Sequence, residues 1–114
     1  MADFDIAALP DERGFRLTGD LDFSTLPQFT AALDRFPPSE ELHLDLADVI
    51  HVDSAGLHAI LGLARSHSLI LLNPTPTVMR SFEIAGIDLH PAIEIRHGAA
   101  STVSRRRPNL RRAG

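Results

Sequence analysis

Apolar residues along this chain change their spacing several times, and each change marks an element. Phe4 and Ile6 alternate with polar neighbours, and Phe15 and Leu17 do so again after Pro10-Asp11-Glu12-Arg13-Gly14. Alternation puts every second side chain on one face, so both stretches are predicted strands joined by a turn, the second ending at Thr18-Gly19. Leu26, Phe29, Leu33 and Phe36 then recur at three- and four-residue steps, the spacing of one helix face. Thr25 and Gln28 match a capping box at its start, Pro27 is tolerated in the first turn, and Pro37-Pro38 stops it.

Alternation returns at Leu42, Leu44 and Leu46, with His43 and Asp45 between them, and the apolar pattern runs on through Val49, Ile50 and Val52 to Asp53. Leu57, Ile60, Leu61 and Ala64 form a second helical stripe, and the run from Ser68 to Leu72 reads as a buried strand. Thr75 is placed to cap a third helix with Pro76 at its first position, Val78, Phe82 and Ala85 on its apolar face and Gly86 just past its end. Ala92 to Arg96 is the last strand. The order β-β-α-β-α-β-α-β predicts an α/β fold: a mixed, mostly parallel sheet of about five strands, its first strand an antiparallel edge, with helices packed against it.

At 114 residues, 44% of them hydrophobic, the chain has the length and core material of one domain. Its charge divides it. Residues 1–98 hold all 15 acids and six of the 11 arginines, a formal −9, whereas residues 99–114 hold five arginines and no acid, +5, within an overall −4. The expected organisation is a domain over 1–98 and an Arg-rich tail over 99–114, disordered or weakly helical. An acidic body disfavours nucleic acid as a direct partner.

Every basic residue is arginine. Without lysine there is no P-loop and no Schiff-base or lysine-base chemistry. The absence of cysteine excludes disulfides, zinc–thiolate sites and thiol nucleophiles. No apolar run reaches membrane-spanning length, and the acidic N-terminus lacks the basic region of a signal peptide, so a cytoplasmic protein is expected.

Open α/β sheets concentrate function at the carboxyl ends of their strands. Two polar clusters fall there: Gly19-Asp20-Leu21-Asp22-Phe23-Ser24-Thr25, and His51-Val52-Asp53-Ser54-Ala55-Gly56-Leu57-His58. Ser54 opens a helix, so its hydroxyl serves either as the N-cap or as a modification site. A phosphoryl group there would meet free N–H groups and the positive helix end, and would bring about −1.5 to −2 of charge beside Asp53, Asp20 and Asp22. Gly56 either admits a close backbone approach or is merely small. Asp20 and Asp22 read equally as paired acids or as loop-stabilising Asx residues. A hydrolase triad on Ser54 is disfavoured, because the G-x-S-x-G elbow is missing and the six histidines are scattered. His43-x-Asp45 and His51-x-Asp53 are only two-ligand fragments; surface histidines are expected, with no metal and no cofactor.

These motifs carry a resemblance. Thr18-Gly19-Asp20-Leu21-Asp22 before an amphipathic helix is similar to the GxLD segment of STAS domains. Asp53-Ser54-Ala55-Gly56-Leu57 matches that family's Asp-Ser-[Ser/Ala/Thr]-Gly-Leu. Leu71-Leu72-Asn73-Pro74 through Ala85-Gly86-Ile87 resembles its next strand and helix. The match covers roughly residues 4–96, and the subgroup it most resembles is the bacterial anti-sigma factor antagonists.

The resemblance implies a single STAS-type domain that catalyses nothing itself. It implies Ser54 as phospho-acceptor, an anti-sigma factor serine kinase as partner and a serine phosphatase as the reversing enzyme. Asp20, Asp22, Ser24, Thr25, Asp53, Ala55, Gly56, Leu57 and His58 would form the switch and partner loop. A non-switching scaffold, or an accessory subunit of a lipid or anion transporter, is the alternative; a small hydrolase or ligand-binding α/β domain is a third, disfavoured by the missing catalytic context. Three departures stand out. The link Ala64–Ser68 is short, Ala55 replaces a frequent second hydroxyl, and the family's final helix has no counterpart in the Arg-rich tail.

Overall fold

A computed structural model describes residues 4–37 and 40–98. Its elements follow the predicted order: β1 (Asp5–Ala8), β2 (Gly14–Leu21), α1 (Leu26–Leu33), β3 (Glu41–Val52), α2 (Ser54–Leu63), β4 (Ser68–Leu72), α3 (Pro76–Ala85), a 3-10 turn (Ile87–Leu89) and β5 (Ile93–Arg96). The sheet order is β1-β2-β3-β4-β5. β1 runs antiparallel to β2, and every other pair is parallel.

Parallel neighbours joined through a helix require right-handed crossovers, and three of them stepping in one direction lay their helices on one side. The core confirms this. Phe29 and Leu33 of α1, Ile60 of α2, and Val78 and Phe82 of α3 share one buried cluster with Leu17, Leu21, Leu42, Leu44, Leu46, Val49, Val52, Leu69, Leu71 and Ile93. The strand residues between these point to the opposite face. There, Arg16 Nε donates to Asp45 Oδ2 at 3.3 Å across the β2–β3 pair, which pairs an otherwise costly buried carboxylate.

β3 is far longer than its pairing with β4, which stops at Asp45 opposite Leu72, while its pairing with β2 continues to Val52. Its last residues thereby carry α2 to the same end of the sheet as the β2–α1 loop. Gly19, at φ 95°, sits where the β2–β3 register shifts, and that left-handed conformation suits glycine. It turns the strand end so that Asp20 and Asp22 lead into the loop.

Several local expectations need correction. α1 ends at Leu33, not Phe36. Pro37 disfavours helical backbone at Phe36, whose N–H instead closes a tight turn on the Leu33 carbonyl at 2.9 Å. Phe36 still packs edge-on against Phe15 and His67. Thr25 occupies the N-cap position of α1 but makes no side-chain cap bond, so the capping box is not formed. His67 is buried, not at the surface, with its Nδ1 donating to the Glu40 carbonyl at 3.2 Å. The short link after α2 resolves as a tight turn, in which Ser66 N and His67 N donate to the Leu63 carbonyl. The third helix matches its prediction: Thr75 Oγ1 accepts from Val78 N, and Gly86 at φ 76° ends it. The Arg-rich segment 99–114 lies outside the described residues, as does Pro38.

Candidate functional site

The two clusters predicted from sequence meet at the carboxyl ends of β2 and β3, and Asp53 joins them. Its Oδ1 accepts from Gly56 N at 2.9 Å, the N-cap bond of α2. Its Oδ2 accepts from Phe23 N at 3.2 Å, in the other loop. Its own N–H donates to the Leu21 carbonyl at 3.2 Å. One carboxylate therefore caps a helix and pins the β2–α1 loop beside it.

The capping role thus falls to Asp53 and not to Ser54. Ser54 is the first residue of α2 and is exposed, and its hydroxyl makes no hydrogen bond among the described residues. No histidine reaches it: His51 and His58 are exposed, and their side chains make no hydrogen bond among the described residues. The triad geometry of a serine hydrolase is not assembled around Ser54.

Gly56 lies against β2. A Cβ built there would stand 2.5 Å from the Leu21 carbonyl oxygen and 2.8 Å from Val52 Cγ1. Close backbone approach, the first of its two sequence readings, is the one realised. Ala55 and Leu57 are half-buried on either side of it.

In the other loop Asp22 acts as an Asx residue. Its Oδ1 accepts from Ser24 Oγ at 2.7 Å, Ser24 N at 3.0 Å and Thr25 N at 3.2 Å. The Ser24 hydroxyl bond, aided by the two backbone amides, holds the Asp22 carboxyl below its ordinary value. Thr25 Oγ1 donates to the Asp20 carbonyl at 2.9 Å and accepts from Asp22 N at 3.0 Å, which explains why it is lost to the helix as a cap. Asp20 shapes the loop through this carbonyl, and its carboxylate does not pair with that of Asp22 in any shared hydrogen bond.

Because the folded carboxyl titrates below the unfolded one, the Asp22 bonds are fully present above the ordinary carboxylate range. They are lost as pH falls through the lowered value. In a carbon-detected NMR titration, Ser24→Ala should move the Asp22 midpoint upward toward that of an ordinary aspartate. An unmoved midpoint would show that the hydroxyl is not its main partner.

Sequence reasoning missed Phe23. It sits at the loop tip, 78% exposed, with its N–H tied to Asp53. Ile84 and Leu89 are equally bare, and what sets Phe23 apart is that its loop is bonded to the cap of α2. The signal was its position between Asp22 and Ser24, where a phenylalanine has no helix or strand face to bury. Ile50, near the end of β3, is similarly bare. Among the described residues no group of three or more potential metal ligands comes together, and no helix is long and apolar enough to cross a membrane.

A one-sided, mostly parallel α/β sheet with a serine at the helix start after its third strand defines a class of small α/β fold, and comparison with known proteins identifies it. The family model described as "Mlab, STAS domain" matches residues 5–94, and the chain belongs to the STAS domain family. Among solved structures, it is similar to a Thermotoga maritima protein described as an anti-sigma factor antagonist. The TM-score is 0.62 at 20% identity, covering 82% of this chain and 85% of that one. No curated protein sequence matches.

Proposed function

We propose that this STAS domain is an anti-sigma factor antagonist switched by phosphorylation of Ser54. In this reading the unphosphorylated form binds an anti-sigma factor serine kinase in the cytoplasm and so releases a sigma factor. Phosphorylation ends the contact and a serine phosphatase restores it. The protein supplies the acceptor hydroxyl, and the kinase supplies ATP and catalysis.

The observation that carries the reading is the freedom of Ser54. Asp53 has taken the capping bond, so the Ser54 hydroxyl is exposed and spends no native hydrogen bond. A phosphoryl group added there breaks no native hydrogen bond of Ser54, and the amide end of α2 offsets its repulsion from the adjacent Asp53. A partner resting on the same surface meets a different situation. Phe23 offers it apolar contact on the loop that Asp53 ties to the head of α2, and about −1.5 to −2 of charge arriving there must be desolvated or repelled. Similarity in fold to the Thermotoga maritima protein supports the same assignment.

The test is a binding assay with purified kinase and ATP. Ser54→Ala should keep wild-type affinity and take up no phosphate. Ser54→Glu should bind about tenfold more weakly, equivalent to about 1.4 kcal/mol. Equal binding by all three forms, or labelling of Ser54→Ala at the wild-type level, would overturn the switch. Equal binding would favour a constitutive scaffold or transporter-accessory role.

A further inference from the structure

One strand in the middle of the sheet has an open edge. β4 stops at Leu72, opposite Asp45, while β3 runs on to Val52. The sequence explains the stop. Asn73 takes a left-handed backbone at φ 56°, Pro74 has no N–H to donate, and Thr75 and Pro76 then start α3. The Ala47 N–H is taken by Asp45 Oδ1 at 3.1 Å. Beyond it, no backbone hydrogen bond joins residues 48–52 to residues 73–77 among the described residues. On that side β3 keeps the unpaired N–H and C=O groups of an edge strand.

An open groove of about 520 Å³ lies along this edge. It is lined by Thr18 of β2, by Asp48 and Ile50 of β3, and by Thr75 and Thr77 at the start of α3. Val49, between Asp48 and Ile50, is in the core, so by strand alternation those two share the other face. Both are exposed, Ile50 at 70%. Asp48 makes no ion pair among the described residues. The outer edges of the sheet are poorer templates. β1 and β5 are four residues each and carry charge, Asp5 on one and Glu94 with Arg96 on the other.

We propose that the open edge of β3 takes an extended segment of a protein partner as an added strand, with a basic side chain beside Asp48 and an apolar one two residues away beside Ile50. The occupant follows from the groups on offer. A row of backbone N–H and C=O groups binds another backbone, the mode in which an extended peptide joins a sheet edge. Neighbouring strands lie about 4.8 Å apart, so side chains of the added strand meet those of Asp48 and Ile50 directly. The formal −9 over residues 1–98 and the unpaired Asp48 select a basic segment over an acidic one. The proposal stands apart from the Ser54 switch, because the edge is present whether or not Ser54 is modified.

The probe is a blocked peptide, acetyl-Thr-Val-Thr-Arg-Thr-Val-Thr-amide, which sets arginine beside Asp48 and valine beside Ile50 in either strand direction. Titrated into the isotope-labelled full-length protein, it should shift the amide signals of Asp48, Ile50 and Thr77 and leave those of β1 and β5 unmoved. Asp48→Asn should weaken its binding about threefold. Replacing the peptide's arginine with glutamate should weaken it about tenfold. Peptides N-methylated at every second residue, in the two alternate phases, isolate the backbone contribution. One phase blocks the edge that meets β3 and should abolish binding, and the other should spare it. Equal affinity in both phases would overturn the added strand. Shifts confined to β1 or β5, or no shift at about 1 mM peptide, would overturn the site. Shifts of the same amides on concentrating the protein without peptide would give the edge to a second copy and overturn the partner segment.

Discussion

Gly56→Ala is expected to destabilise the domain by about 2 kcal/mol in equilibrium urea unfolding, within the range for overpacking a tight site. The sign is the informative part. Glycine inside a helix normally costs about 1 kcal/mol relative to alanine, so the substitution should stabilise a helix that has room for it. At Gly56 there is none, with the Leu21 carbonyl 2.5 Å and Val52 Cγ1 2.8 Å from the new carbon. The methyl of Val52 can shift. The carbonyl cannot retreat without loosening its bond from Asp53 N, on which the junction of β2 and α2 depends. Gly62, in the same helix, is the control: a Cβ there meets nothing within 4 Å. Gly62→Ala should gain about 0.5 to 1 kcal/mol. If both variants stabilise, α2 does not press against β2 as described.

Asp53→Ala should cost about 2 to 3 kcal/mol, more than an ordinary cap. An N-cap aspartate contributes up to about 2 kcal/mol, and the carboxylate's second bond, to Phe23 N, adds to it. Asp53→Asn keeps one acceptor and should lose about 1 kcal/mol. Amide exchange separates the two functions. In Asp53→Ala the amides of both Gly56 and Phe23 should exchange faster. Acceleration at Gly56 alone would mean that Asp53 caps the helix without holding the loop. Since Phe23 lies on that loop, the same variant should also weaken partner binding while leaving the Ser54 hydroxyl in place.

What could be read in the sequence was what local chemistry decides. Thr75-Pro76 and Gly86 bound α3 as predicted, because a cap, a first-turn proline and a left-handed glycine need no distant partner. Leu42, Leu44 and Leu46 alternate into the core for the same reason. The two candidate loops were picked out by their place at strand ends, where the structure brings them together, and the family resemblance holds. The failures occur where two local solutions compete and a distant strand chooses. Asp53 and Ser54 are both good caps, and the winner is the one that also reaches Phe23 N. Thr25 and Gln28 spell a capping box, but the Thr25 hydroxyl closes the loop on the Asp20 carbonyl instead. His67 reads as a surface residue until Phe36 and the Glu40 carbonyl are brought to it.

The uniform stepping of the strands, β1 to β5 in chain order, has a consequence for recognition. Sheets wound in two directions from a central pair split there, and the crevice between the diverging helices is where nucleotides and similar small ligands settle. A sheet wound in one direction has no such divide between its described strands. What it offers at the carboxyl end is relief: the bare phenyl ring of one loop beside the bare hydroxyl at the head of a helix. A surface of that shape suits the folded partner proposed above, which would lie across it.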